Sequence, residues 1–108
     1  MSCVSRGFLI SLAGLLSVMA QAQDYPVRPV RMIVPFVPGG SSDFVARAIQ
    51  PKMIELLGQL VIVDNRSGAS GNVGVELSAR SAPDGYTIFL GNVGSTAINP
   101  SIFPGFPI

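Results

Sequence analysis

The sequence contains no histidine and no tryptophan, a single cysteine, and little charge of either sign. Each shortage removes a class of function. Without histidine the chain has no Ser–His or Cys–His pair of its own and lacks a common zinc ligand. The one cysteine, Cys3, falls in a segment read below as cleaved. The mature chain is therefore expected to carry no disulfide and no thiol chemistry. Seven Lys and Arg face six Asp and Glu, and loss of Arg6 with the leader leaves six of each. That balance provides no basic surface for nucleic acid. Asp43, Glu55, Asp64, Glu76 and Asp84 are spread along the chain without forming an acid–base pair, so an enzyme is not expected. No cofactor signature is present either. The Gly39-Gly40 pair is not followed by the Lys of a phosphate loop, and Gly68, Gly71 and Gly74 do not have dinucleotide-fingerprint spacing.

What the chain does have is glycine and proline, 12 and 9 of them in 108 residues, with apolar runs between. The length allows at most one small domain. Residues 1–22 read as an export signal. Arg6 and the amino terminus are positive, Phe8 to Met19 is an apolar-to-small run, and Ala20-Gln21-Ala22 offers small residues for signal peptidase. The run is shorter than the roughly 20 residues a membrane-spanning helix needs. Cys3 precedes it and is not placed like a lipoprotein cysteine.

Residues 23–108 alternate in character. Val30 to Val34 is a short β-rich run, read as a buried strand. A helical pattern follows from Phe44 to Leu57, with an apolar stripe at Val45, Ala48, Ile49, Met53, Leu56 and Leu57. Ser41 or Ser42 is the expected N-cap, Gly58 the C-cap, and Pro51 is expected to kink the helix. Leu60 to Asp64 reads as a second strand and Val73 to Ser81 as a second helix, which Gly74 weakens. The Pro83-Asp84-Gly85 turn leads to a third strand, Tyr86 to Leu90, and then to a short helix ending before Pro100. The order βαβαβ at this spacing implies an α/β fold with a parallel sheet. In such sheets ligands sit beyond the carboxyl ends of the strands, which is where all three Gly/Ser/Asn-rich loops fall.

The first of these loops, Pro35 to Asp43, pairs two glycines with two hydroxyls at a helix start. Free N–H groups, a positive dipole end and the Ser41 and Ser42 hydroxyls suit an anion. An ordinary capped βα turn has the same residues, and the local pattern leaves both readings open. Phe36 stands at the loop mouth, either lining a pocket or plugging the sheet end. Arg66 could hold a carboxylate, although a lone loop arginine is more often structural or solvated.

Taken together, Tyr25-Pro26, Pro29-Val30-Arg31, Val34-Pro35-Phe36, Pro38-Gly39-Gly40, Asp43, Leu57-Gly58-Gln59, Asn65-Arg66, Gly68-Ala69, Gly71-Asn72, Ala82 to Thr87 and Ala97 to Pro100 resemble the Bug (TctC-like) receptors. Those are the periplasmic solute-binding components of tripartite tricarboxylate transporters. The resemblance implies a type II periplasmic-binding-protein fold and a small organic carboxylate as ligand. It also implies periplasmic export, membrane components of a transporter as partners, and no cofactor or metal. It puts Phe36, Gly39, Gly40, Ser41, Ser42 and Asp43 on one jaw of a carboxylate clamp and Ala69, Gly71 and Asn72 on the other. Ser95 and Thr96 of the third loop are further candidates, and Asp43 is assigned to capping and bracing. Leu60, Ser67 and Ser70 stand where the family more often has Pro, Pro and Gly. Family members are roughly three times longer and have two domains of ordinary size. The 23–108 segment therefore corresponds to the first part of domain one, with the second domain absent. The alternative is a truncated product that binds nothing.

Overall fold

The computed structural model describes residues 24–106. The expected leader, residues 1–22, and Cys3 lie outside them. The elements are β1 (Val30–Val34), α1 (Ser41–Leu57), β2 (Val61–Asn65), α2 (Asn72–Ala79), β3 (Thr87–Phe89) and α3 (Asn99–Ile102). A 3-10 turn, Ala69–Gly71, precedes α2, and a π-helical turn, Gly94–Ile98, leads into α3.

The three strands form one parallel sheet in the order β2-β1-β3. β1 is central because it is the most apolar: Val30, Met32, Ile33 and Val34 are all buried, with Pro35 directly after them. In register, Val30 faces Val61, Val34 faces Asn65, and Arg31 to Ile33 face Thr87 to Phe89. The chain moves to one side of β1 and then to the other. Right-handed crossovers therefore put α1 and α2 on opposite faces of the sheet. On one face Val30, Met32, Val34 and Val61 pack with Ala46, Met53, Ile54 and Leu57 of α1. Ile33 points the other way by strand alternation, toward the face carrying α2 and its buried Val75.

The expected α1 stripe is corrected. Val45 and Leu56 are 47% and 73% exposed, while Ala46 is fully buried. Apolar residues surround most of this helix, so their spacing alone does not select a face. Two polar contacts select it. Asp43 is pinned beneath the first loop, and Gln50 Nε2 donates to the Val61 carbonyl at 2.6 Å. Asp43, Ala46, Gln50, Met53 and Leu57 follow one another at three- and four-residue steps and share the inner side. The helix also starts earlier than expected. Gly40 is the N-cap without any side-chain capping bond, so Ser41 and Ser42 are the first helical residues. The helix continues through Pro51 to Leu57, and Gly58 closes it at φ 67° with its N–H on the Ile54 carbonyl.

Two further expectations change. Helix α3 contains Pro100 rather than ending before it. In the first turn a missing N–H costs no intrahelical bond. Gly74 also does not merely weaken α2. A Cβ there would lie 2.7 Å from Pro35 Cβ and 2.8 Å from Pro35 Cα, so glycine is what lets α2 settle on the end of β1. The lead-in is held as well. Tyr25 stacks edge-on against Tyr86 at 5.1 Å, Arg28 lies 4.2 Å over the Tyr86 ring, and Arg28 pairs with Asp84 at 2.9 Å.

Gly74→Ala is expected to destabilise the chain by about 1–3 kcal/mol through overpacking, read from urea midpoints. A loss below about 0.5 kcal/mol, the size of an ordinary surface substitution, would contradict the close helix-to-strand contact.

Candidate functional site

The parallel order β2-β1-β3 has a topological switch beside β1. The loop leaving β1 leads to α1 on one face, while Asn99 of α3, the next helix after β3, bonds Ser70 and Asn72 at the start of α2, whose helix covers the other. Crevices at such a point are where open α/β sheets bind ligands. A cavity of about 250 Å³ lies there, lined by Ser41, Ser42 and Val45 of α1 and by Leu90, Gly91 and Asn92 after β3.

The first loop reaches this cavity through a brace around Asp43, which is 4% exposed. Its carboxylate accepts the Gly39 N–H at 2.9 Å, Arg47 Nε at 3.0 and 3.1 Å, and Asn65 Nδ2 at 3.0 Å. Asn65 Nδ2 also donates to the Phe36 carbonyl at 3.1 Å. The Gly39 N–H bond first, then the Arg47 and Asn65 bonds, hold the Asp43 carboxyl below its ordinary 3.8 against the opposing effect of burial. Gly39 meets this geometry at φ 86°, a left-handed conformation that glycine takes without strain. With Asp43 consumed inside the loop, the cavity side of the α1 start presents donors. The Ser41, Ser42 and Asp43 N–H groups have no intrahelical acceptor, and the Ser41 and Ser42 hydroxyls make no hydrogen bond among the described residues. The positive end of a 17-residue helix lies behind them.

The second loop does not line this cavity. Its φ values are 134° at Gly68, 47° at Ala69, 58° at Ser70 and 93° at Gly71. Two non-glycine residues in the left-handed region store strain, a feature that gathers at ligand clamps and switch regions. Ser70 stands where the family resemblance leads one to expect glycine, and the positive φ accounts for that preference. Gly71 is buried against Phe36 and Ser95, where a Cβ would meet Phe36 Cζ at 3.3 Å and Ser95 Cβ at 3.5 Å. Phe36 is thus the half-buried contact between the first and second loops. Asn99, buried in α3, donates to the Ser70 carbonyl at 2.8 Å and to Asn72 Oδ1 at 2.7 Å. Arg66 is held by Asp64 at 2.9 Å, and Asp64 is also bound by Arg31 Nε at 2.6 Å. Partial burial works to raise the Asp64 carboxyl, but the Arg31 and Arg66 bonds outweigh it and hold it below 3.8.

Of the residues expected at a site, Ser41 and Ser42 line the cavity. Gly39, Gly40 and Asp43 shape the turn that delivers them. Phe36, Gly71 and Ser95 meet at the junction of the three loops. Ser95 is fully buried, and the Thr96 hydroxyl donates to the Asn92 carbonyl at 2.6 Å, so both serve Asn92. Sequence reasoning missed Val45, Leu90, Gly91 and Asn92. Asn92 carried a usable signal, because Asn is a preferred N-cap and its Oδ1 accepts the Ser95 N–H at 3.0 Å. Nothing local marked Leu90 or Val45. Among the described residues no three Cys, Asp or Glu gather as a metal site, and no helix is long and apolar enough to cross a membrane.

The profile described as "Tripartite tricarboxylate transporter family receptor" (TctC) matches residues 45–108. The chain belongs to that family. It is 43% identical over 102 residues to protein BugT of Bordetella pertussis, covering 94% of this chain and 31% of BugT. Among solved structures it is similar to a periplasmic transporter, with 44% identity and a TM-score of 0.74 over 78% of this chain and 28% of that one. It is also similar to MatC from Rhodopseudomonas palustris with bound malate, with 38% identity and a TM-score of 0.73 over 78% and 29% of the two chains. The fold is therefore that of a segment of a TctC-family periplasmic binding protein, and the family is one of receptors rather than enzymes. The chain spans less than a third of the length of BugT.

Because the folded-state pKa of Asp43 is lowered, its carboxylate stabilises the fold above 3.8 and loses that contribution as pH falls through the depressed value. Asp43→Asn is expected to unfold at lower urea than the parent at neutral pH. The gap between the two should narrow as pH drops below 3.8. A gap that stays constant with pH would contradict an ionised brace.

Proposed function

We propose that this chain is the ligand-gripping part of a periplasmic receptor that captures a small organic carboxylate for a tripartite tricarboxylate transporter. The leader directs export and is removed after Ala22, and residues 23–108 form the first part of the binding domain. The observation that carries the reading is the donor-rich, carboxylate-free face of the switch-point cavity. Ser41 and Ser42 stand at the positive end of α1, while the neighbouring Asp43 carboxylate is locked away on Gly39, Arg47 and Asn65. A carboxylate accepts hydrogen bonds and carries negative charge, so such a face suits it. Malate in MatC, a relative of similar fold, supports the same ligand class. In this reading Phe36, Gly39 and Gly40 complete the first jaw. Ala69, Gly71 and Asn72 of the second loop, which lies outside the cavity, back the first jaw from beside Phe36. No covalent step is involved; affinity comes from donors already in place before the ligand arrives.

One observation favours a second reading, in which the chain alone binds nothing. Phe44, Leu56 and Ile102 are exposed to 75, 73 and 63%, and such apolar surface lowers the stability of a small domain. Calorimetric titration with malate, run beside a urea melt, separates the two. We expect a cooperative melt, saturable malate binding, and an affinity about tenfold lower in Ser42→Ala, from loss of one bond to a charged group. Binding of a neutral sugar but no carboxylate would contradict the receptor reading. A broad melt with no binding would favour the second.

A further inference from the structure

We infer that Asn92 is the specificity-determining donor of the cavity wall opposite Ser41 and Ser42, and that Ser95 is its positioning residue. This rests on the carboxylate reading above. An asparagine amide has one accepting oxygen and two donating N–H groups, and its hydrogen bonds decide which end faces where. Asn92 Oδ1 accepts the Ser95 backbone N–H at 3.0 Å and lies 3.3 Å from Ser95 Oγ. If the amide were turned over, its NH₂ would face a donor, so the oxygen end is committed to Ser95. Nδ2 is left with no acceptor among the described residues, on an exposed residue that borders the cavity.

The main chain around Asn92 is pinned as firmly. Its N–H donates to Ser95 Oγ at 3.1 Å, and its carbonyl accepts the Thr96 N–H at 3.0 Å. Ser95 is 0% exposed. Its hydroxyl is therefore out of reach of a ligand and acts through Asn92. Gly91 keeps the turn tight, since a Cβ there would come within 2.5 Å of Thr96 Cγ2 and 2.7 Å of Phe89 Cε1. The cavity then has donors on both sides, from Ser41 and Ser42 on α1 and from the amide of Asn92 after β3. A carboxylate satisfies both. A ligand ammonium or amide N–H brought to the same place would find acceptors only in the Ser41 and Ser42 hydroxyl oxygens and would face N–H groups at the α1 start and at Asn92. Asn92 thus favours an acceptor over an N–H group on its side of the cavity.

The test is a heteronuclear NMR titration of the ¹⁵N-labelled chain with malate, with and without substitution. The expected result is that malate shifts the Ser41 and Ser42 amides and the Asn92 side-chain NH₂ together. Asn92→Asp keeps the oxygen that Ser95 binds but removes the donor, and should weaken malate about tenfold to a hundredfold while the sheet amides stay in place. Ser95→Ala should displace the Asn92 NH₂ resonances before any malate is added, a change that loss of packing elsewhere would not produce. If malate moves the Ser41 and Ser42 amides but not the Asn92 NH₂, and Asn92→Asp binds as the parent does, the inference is overturned and the receptor reading survives. If malate moves neither set, both are overturned.

Discussion

A buried carboxylate on a small, apolar scaffold sets the geometry of the whole site. Removing an ionised group from water is costly unless donors replace the water. Asp43 meets that demand with the Gly39 N–H, the Arg47 guanidinium and the Asn65 amide. Each partner comes from a different piece of the structure: the first loop, the body of α1 and the end of β2. The bonds therefore close the Pro35-to-Gly40 turn, dock it on β2 and fix the rotation of α1. They also take one negative charge out of the cavity that the turn faces. An anion site beside a carboxylate works only if that carboxylate is already neutralised by its own partners.

Topology decides which loops share the cavity. Because β1 is central, β2 and β3 flank it and their crossover helices cover opposite faces. The switch falls between the loops after β1 and β3, so the first and third loops line the cavity. The second loop supports them from beside Phe36, through Gly71 and through the buried Asn99 of α3. Its positive φ values at Ala69 and Ser70 are held by this packing. A strained turn wedged between the two cavity-lining loops is a feature of the kind that gathers at ligand clamps and switch regions.

Much of this was legible in the sequence. The Val30 to Val34 run, the Gly58 stop and the Gly/Ser/Asn loops each announced an element with a local cause, and their alternation implied the parallel sheet. The rotation of α1 was not legible. Phe44, Val45, Ile49 and Leu56 are as apolar as the residues that are buried, and the choice belongs to Asp43 and Gln50, whose partners lie at Gly39, Asn65 and Val61. Gly74 misled for a similar reason: its helix-weakening propensity is local, but its value lies in contact with Pro35, 39 positions earlier. The cavity residues Leu90, Gly91 and Asn92 depend on strand order, because only the 2-1-3 arrangement brings the end of β3 to the start of α1. The resemblance makes Ser95 and Thr96 site candidates, yet their hydroxyls bond to the Asn92 main chain. Which side of a hydroxyl a loop exposes is a tertiary property.

In the proposed receptor, the start of α1 and the loop after β3 hold a ligand carboxylate at the sheet's switch point. A crystal structure of the chain grown with malate tests it most directly. The expected result is a carboxylate group hydrogen-bonded to Ser41 and Ser42 in the cavity bounded by Leu90, Gly91 and Asn92. A carboxylate found instead on the Arg47 or Arg66 guanidinium, with that cavity left to solvent, would contradict it.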